Sequence, residues 1–358
     1  MISNELKGKD FTGQNIYAGI DTHHKSWMVS VYSDEFELKT FSQQPDADQL
    51  EKYLKKTYPG ANYYLAYEAG FSGFWIQRSF AKKGIRCDVI HPADVPSGDK
   101  ENKRKTDKVD SRKIARGLKN GDLNVIYVPD ENQEADRLLL RSRTNIVRDL
   151  TAVKNRIKAF LKLRGIFIPG TYKNGNWSNS FIKWLQALPM AEPSNTTALL
   201  TYIEELEFLL NREKQLRAAI KTLAATETYA SNIKWLTSVP AIGLIAAMTI
   251  LTEIGDITRF KKLKHLCSYF GLTPDSHSSG ETKRIGAISR RGNPFIKTIL
   301  IECTWMAIRK DPALLLYYKQ LLPRMNPNKA VIKVARKLLN RIRYVLMKEK
   351  EYVTGVIN

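Results

Sequence analysis

Four acidic residues stand where a carboxylate is costly unless a cation joins it. Asp21 closes the stretch Asn15-Ile16-Tyr17-Ala18-Gly19-Ile20-Asp21, in which apolar residues alternate as in a half-buried strand. A carboxylate at the end of a core strand needs a partner: a metal ion, or the backbone N–H groups of the turn it caps. Glu68 repeats the setting, ending Tyr63-Tyr64-Leu65-Ala66-Tyr67-Glu68 before a glycine-containing turn. Open α/β sheets place their sites at that edge. Asp107 and Asp110 are three residues apart and share one face of a predicted helix over 107–120. Two like charges so spaced repel unless a cation lies between them, although a helix N-terminus also favours acids. Together the four acids could hold two Mg²⁺ ions. A pair of such ions about 4 Å apart serves in-line phosphoryl displacement.

Basic residues surround the third element. Lys105, Lys108 and Arg112 lie within a Lys/Arg-rich segment running from Lys100 to Lys119, where divalent ions and a phosphate backbone would meet. A second constellation lies far downstream, in Gly271-Leu272-Thr273-Pro274 followed by Ser278-Ser279-Gly280. Lys283, Arg284, Arg290 and Arg291 come close behind it. A serine in such a turn could be presented to a phosphate, with the cations stabilising charge on the phosphoryl group. The same composition also makes plain phosphate contacts.

The elements that must position these residues follow from periodicity. Strands are predicted over 15–21, 26–32, 36–41, 62–67, 86–90 and 124–128, and helices over 45–58, 73–84 and 107–120. Three meandering strands followed by alternating helices and strands is the order of a ribonuclease-H-like domain. From Asn132 to Arg164 the chain reads as one basic helix with an apolar stripe. Residues 165–180 read as a loop, and a second long helix runs over about 197–225. These two helices suggest a coiled-coil-like arm. A third, mainly helical module follows, with helices over 259–270, 292–310, 312–322 and 327–350. Its segment Val239-Pro240-Ala241-Ile242-Gly243 resembles a helix-hairpin-helix turn, with Ala241 at the first of the two usual glycines. The fold class is thus α/β plus all-α, with domains over 1–130, 131–230 and 231–358.

The 57 Lys and Arg outnumber the 36 Asp and Glu, a formal charge of +21 that favours a polyanionic partner. No apolar run reaches the length of a membrane span, and Met1 to Gly13 lacks the pattern of a signal peptide. The three cysteines, Cys87, Cys267 and Cys303, lack metal-ligand or disulfide spacing, consistent with a reducing, cytoplasmic setting.

The ordered set is more specific than any of its parts. Strand Asp, strand Glu, helix Asp-x-x-Asp, helical arm, Val-Pro-x-Ile-Gly, Gly-Leu-Thr-Pro, Ser-Gly and Ile-Ser-Arg-Arg-Gly-Asn together resemble the DEDD transposases of bacterial insertion sequences, the IS one-ten family. The resemblance covers nearly the whole chain. It implies a RuvC-like N-terminal domain whose four acids fall on Asp21, Glu68, Asp107 and Asp110. It also implies a serine nucleophile at Ser279, with Ser278 the fallback, that forms a transient phosphoserine link to DNA. Further implications are Mg²⁺, donor and target DNA, an element-encoded guide RNA, and a dimer or tetramer at the nucleoid. Two other readings are a structure-specific, Mg²⁺-dependent junction nuclease that uses the acids alone, and a non-catalytic nucleic-acid-binding protein.

Overall fold

A computed structural model describes residues 10–92, 106–172, 177–279, 282–288 and 292–353; for 275–279, 282–285 and 287 it describes the backbone only. The chain divides into two compact units, Met1–Val128 and Pro129–Asn358.

The first unit is built on a five-stranded mixed sheet. Its strands are β1 (Asn15–Thr22), β2 (Trp27–Tyr32), β3 (Glu37–Gln43), β4 (Asn62–Glu68) and β5 (Arg86–Ile90), in the order β3-β2-β1-β4-β5. The first three strands form antiparallel hairpins, while β4 and β5 join parallel to β1. Parallel pairing needs crossovers, and α1 (Ala47–Thr57) and α2 (Trp75–Ala81) supply them.

The pleat sorts the side chains of β1. Ile16, Ala18 and Ile20 are buried in a core with Leu50 and Leu54 of α1 and Ile76 and Phe80 of α2. Residues of the opposite parity face α3 (Asp107–Asn120), which packs on β1 and β2. Ala66 of β4 and Ile114 of α3 share a small buried cluster on that side.

Residues 124–128 do not form the sixth strand that their alternation predicts. Val125 makes an isolated antiparallel bridge to Ile90, and Ile126 N–H donates to Val89 O at 2.8 Å. Pro129 then removes the next donor, and a helix begins at Glu131. Ile126 and Val128 still pack on the core.

In the second unit, α4 (Glu131–Leu163) and α6 (Pro193–Ala224) run antiparallel. Arg143 pairs with Glu213, and thirteen residues further along α4, Arg156 pairs with Glu205, earlier in α6. Between them lies α5 (Asn179–Gln186), which starts at the end of the expected loop 165–180 and lies outside every predicted helix. Phe181, Ile182 and Leu185 make it a helix by their spacing. They are buried against Val153 and Ile157 of α4 and Ile203 and Leu206 of α6. Ser178 caps it by accepting from Phe181 N–H.

A separate core gathers α7 (Glu227–Thr237), α8 (Leu244–Ile254), α9 (Leu263–Tyr269), α10 (Pro294–Lys310), α11 (Pro312–Leu321) and α12 (Pro327–Lys348). Ser278 and Ser279, expected in a turn of a helical module, stand at the end of the first strand of a two-stranded hairpin, while Gly280 lies outside the described residues. Pro274–Ser279 (β6) pairs antiparallel with Thr282–Ile288 (β7), and Ser279 stands opposite Thr282. No helix among the described residues is long and apolar enough to cross a membrane.

Candidate active site

The acidic site of the first unit depends on a missing side chain. A Cβ on Gly19 would stand 2.3 Å from both Ala115 N and Ser111 O. Only glycine lets the backbone of α3 lie this close to β1. Neighbouring contacts hold the helix there. Ser111 Oγ and Ser30 Oγ form a buried hydrogen bond of 2.8 Å, and Ser30 is in turn bonded to Thr40. Arg112 Nε donates to Glu37 Oε1 at 2.7 Å. Burial alone would raise the Glu37 carboxyl, but bonds from Thr40, Tyr32 and Arg112 and the Arg112 charge hold it below the ordinary range. Arg112, expected to meet nucleic acid, is thus engaged on β3. Lys108 is exposed on the first turn of α3.

Thr106 caps the helix, and Asp107 and Asp110 occupy its first turn. Gly19 and Asp21 are two apart and so share a face of β1. The close packing at Gly19 therefore brings the start of α3 to Asp21. Burial raises the Asp21 carboxyl above the usual carboxylate range; the charges of Asp107 and Asp110 add to this, and His23 opposes it. Lys113, itself buried, reaches Asp110 Oδ1 at 3.4 Å. Glu68 is the last residue of β4, one position beyond the paired Ile20 and Tyr67. It lies two residues after Ala66, on the face that α3 covers. Ser72 Oγ donates to Thr22 Oγ1 at 3.1 Å, tying the loop after β4 to the end of β1.

The tightest donor set contains a residue that is not among the four predicted acids. Ligand atoms of Asp21, His23 and Asp107 all lie within 4.8 Å of one another. Asp110 and Glu68 are not in that innermost set. The signal available in the sequence was Asp-x-His at a strand end. Clustered carboxylates with one imidazole, at the edge of a sheet, suit a divalent cation.

In the second unit the hairpin springs from a pinned base. A Cβ on Gly292 would stand 2.2 Å from both Gly271 Cα and Gly271 N, and Gly271 has φ +64°. Asn293 N–H donates to Tyr269 O at 2.9 Å. The Asn293 side chain caps α10 and donates to Glu253 Oε2 at 2.7 Å. Glu253, 1% exposed, also receives Arg141 in a two-pronged contact of 2.7 and 2.9 Å and has Arg137 at 3.4 Å. Sequence reading missed this hub, because its members are scattered from 137 to 293. Ser278 and Ser279 lie in β6 and Lys283 and Arg284 in β7, with backbone alone described. Lys105, Arg290 and Arg291 lie outside the described residues.

At the expected helix-hairpin-helix, Ala241 has φ +70°, the left-handed conformation that glycine favours, and Gly243 precedes α8.

Comparison with known proteins bears on both units. Residues 18–167 match a family model described as a transposase, the DEDD domain of IS110, and residues 233–319 match the transposase IS116/IS110/IS902 family. The y4qE protein of Sinorhizobium fredii is 34% identical over 245 residues, which span 68% of this chain but 58% of that relative. The transposase for insertion sequence element IS1111A of Coxiella burnetii is 26% identical over 80% of this chain and 78% of its own length. The transposase for insertion sequence element IS1533 of Leptospira borgpetersenii is 26% identical over 68% and 70% respectively. The DEDD match spans Asp21, Glu68, Asp107 and Asp110, and such a domain suggests divalent metal use.

Proposed function

The chain belongs to the IS110 family of transposases, and from that premise we propose that it cuts and exchanges DNA strands using the Asp21 cluster and a serine in the hairpin. The observation that carries this reading is the convergence of Asp21 with Asp107 and Asp110 across the side-chain-free surface at Gly19. The sheet order β3-β2-β1-β4-β5, with three antiparallel strands and two parallel ones, supports a ribonuclease-H-like, RuvC-like domain. The domain limits 1–130, 131–230 and 231–358 belong to the same proposal, with α4 and α6 as a coiled-coil-like arm.

Asp21, Glu68, Asp107 and Asp110 are the residues that would hold Mg²⁺. A bound ion offsets negative charge building on the phosphoryl oxygens and favours in-line displacement. Asp21 and Glu68 set one wall of the site from adjacent strand ends, and α3 brings the other acids as a unit. Ser279 Oγ would attack phosphorus and give up its proton as the P–O bond to the leaving strand breaks, and the departing strand's oxygen would take up a proton, so that one phosphate ester is exchanged for another. The phosphoserine ester retains the energy of the broken phosphodiester, so rejoining needs no ATP. Lys105, Lys108, Lys283, Arg284, Arg290 and Arg291 meet phosphates, and Arg112 extends that surface from its place on Glu37. Sequence specificity is left to base pairing with an element-encoded RNA, which suits a basic protein that reads charge and shape. The active assembly is a dimer or tetramer.

The test is recombination between donor and target DNA with the element's flanking RNA supplied. Asp21→Asn and Ser279→Ala should each abolish strand exchange, and Ser279→Ala should leave no covalent protein–DNA product. Complete recombination by Ser279→Ala refutes the serine step. Strand cutting that persists without Ser279 favours a nuclease acting through the acids alone.

A further inference from the structure

His23 stands between two carboxylates, within ion-pair reach of both. Its Nε2 is 3.3 Å from Asp21 Oδ2 and 3.5 Å from Asp107 Oδ1. Both distances exceed the roughly 2.7–3.2 Å of a good N–H···O bond. They do match the edges of a coordination polyhedron. Two ligand atoms each about 2.1 Å from one ion stand about 3.0 Å apart at a right angle and about 3.4 Å apart at the tetrahedral angle. The third edge, between Asp21 and Asp107, also lies within 4.8 Å.

The backbone holds the imidazole in place. Thr22 pairs with Trp27 across the β1–β2 hairpin, and His23 N–H donates to Ser26 O at 3.0 Å, closing a short turn. Trp27 is buried, which anchors the far side of that turn. The ring remains half exposed, open to an ion arriving from solvent. Asp107 comes from a helix whose distance from β1 is set by Gly19. Asp21 and Asp107 thus stand on a strand end and a helix start that pack together, with His23 in the turn beside them.

We propose that His23 supplies an imidazole ligand to the divalent cation held by Asp21 and Asp107, making a mixed nitrogen–oxygen site that favours Mn²⁺ over Mg²⁺. The inference rests on reading the acidic cluster as a metal site. Mg²⁺ prefers an all-oxygen shell, whereas Mn²⁺, though also an oxygen-binding ion, opens the transition series and accepts a nitrogen ligand more readily. An imidazole therefore shifts the selectivity of a site whose other donors are carboxylates.

The experiment uses the full chain and compares wild type, His23→Ala and Asp21→Asn. Mn²⁺ and Mg²⁺ binding are read by titration calorimetry and by the loss of the free Mn²⁺ resonance. Wild type should bind Mn²⁺ about tenfold or more tighter than Mg²⁺. His23→Ala should lose most of that preference while its Mg²⁺ affinity changes less than about threefold. Electron spin-echo modulation of bound Mn²⁺ should show a directly ligated nitrogen in wild type and none in His23→Ala. His23 lies in an exposed turn, and circular dichroism confirms that the variant is folded. If Asp21→Asn abolishes binding while His23→Ala keeps the Mn²⁺ preference or the nitrogen signal, the imidazole ligand is refuted and the acidic site stands. If neither ion binds in an Asp21-dependent way at millimolar concentration, both fall.

Discussion

Replacing Gly19 with alanine adds one methyl group where there is no room for it. The new Cβ would face Ala115 N and Ser111 O at 2.3 Å, and both are backbone atoms that no rotamer change can move. Ordinary contact needs roughly 3.4 Å or more, so β1 and α3 must separate by roughly 1 Å. Overpacking of this kind costs about 1–3 kcal/mol. Removing a strand glycine returns about 0.5–1 kcal/mol, leaving a net loss of about 1–2 kcal/mol. At about 2–4 °C per kcal/mol, thermal unfolding should begin roughly 2–8 °C lower. The functional effect should be larger, because Asp107 and Asp110 move with the helix away from Asp21. Metal ligands tolerate displacements of about 0.2 Å, so affinity for a divalent ion should fall at least about tenfold. Strand exchange should fall by about a hundredfold, the usual effect of a 1 Å misplacement. Gly70→Ala is the control, since nothing lies within 4 Å of a Cβ there. Calorimetric unfolding and metal titration on the full chain read the result. A Gly19→Ala protein with wild-type metal affinity and melting temperature would refute the claim that close packing at this glycine assembles the site.

Three further outcomes are expected. Ala241→Gly should stabilise the chain by about 0.5–1 kcal/mol in urea unfolding. A left-handed alanine costs about 1–2 kcal/mol, of which about 0.4–1 kcal/mol is returned by glycine's greater freedom when unfolded. Glu253→Gln should destabilise by about 3–5 kcal/mol, because it leaves the buried Arg137 and the partly exposed Arg141 without their anion. A loss below about 1 kcal/mol would show that the hub contributes no more than a surface pair. Glu37 titrates below its ordinary value of 4.5 in the folded chain, so its contribution is present above that value and disappears as pH falls through the lower folded one. The stability gap between wild type and Glu37→Gln should therefore hold at neutral pH and close in acid; a gap independent of pH would contradict this.

The ends of β1 and β4, the helix bearing Asp107 and Asp110, and the two long helices were legible from the order of residues alone. Each depends on a local period or a local cap, and such signals lie within a few residues of one another. The α5 helix had its signal in Phe181, Ile182 and Leu185, but the surrounding glycines and prolines masked it. Residues 124–128 had a strand's alternation without a strand's partners, because pairing depends on what lies across the edge. The importance of Gly19 was invisible, since a glycine in a strand carries no mark of the helix that will rest on it. His23 joined Asp21 and Asp107 only when a helix more than eighty residues away was laid against β1. The Glu253 hub likewise exists only after Arg137, Arg141 and Asn293 are packed around one buried carboxylate. Residue types and spacing thus determined which chemistry was available and on which elements it stood. Close packing between distant segments decided which donors meet, because those distances depend on side-chain volume and backbone approach rather than on neighbours along the chain.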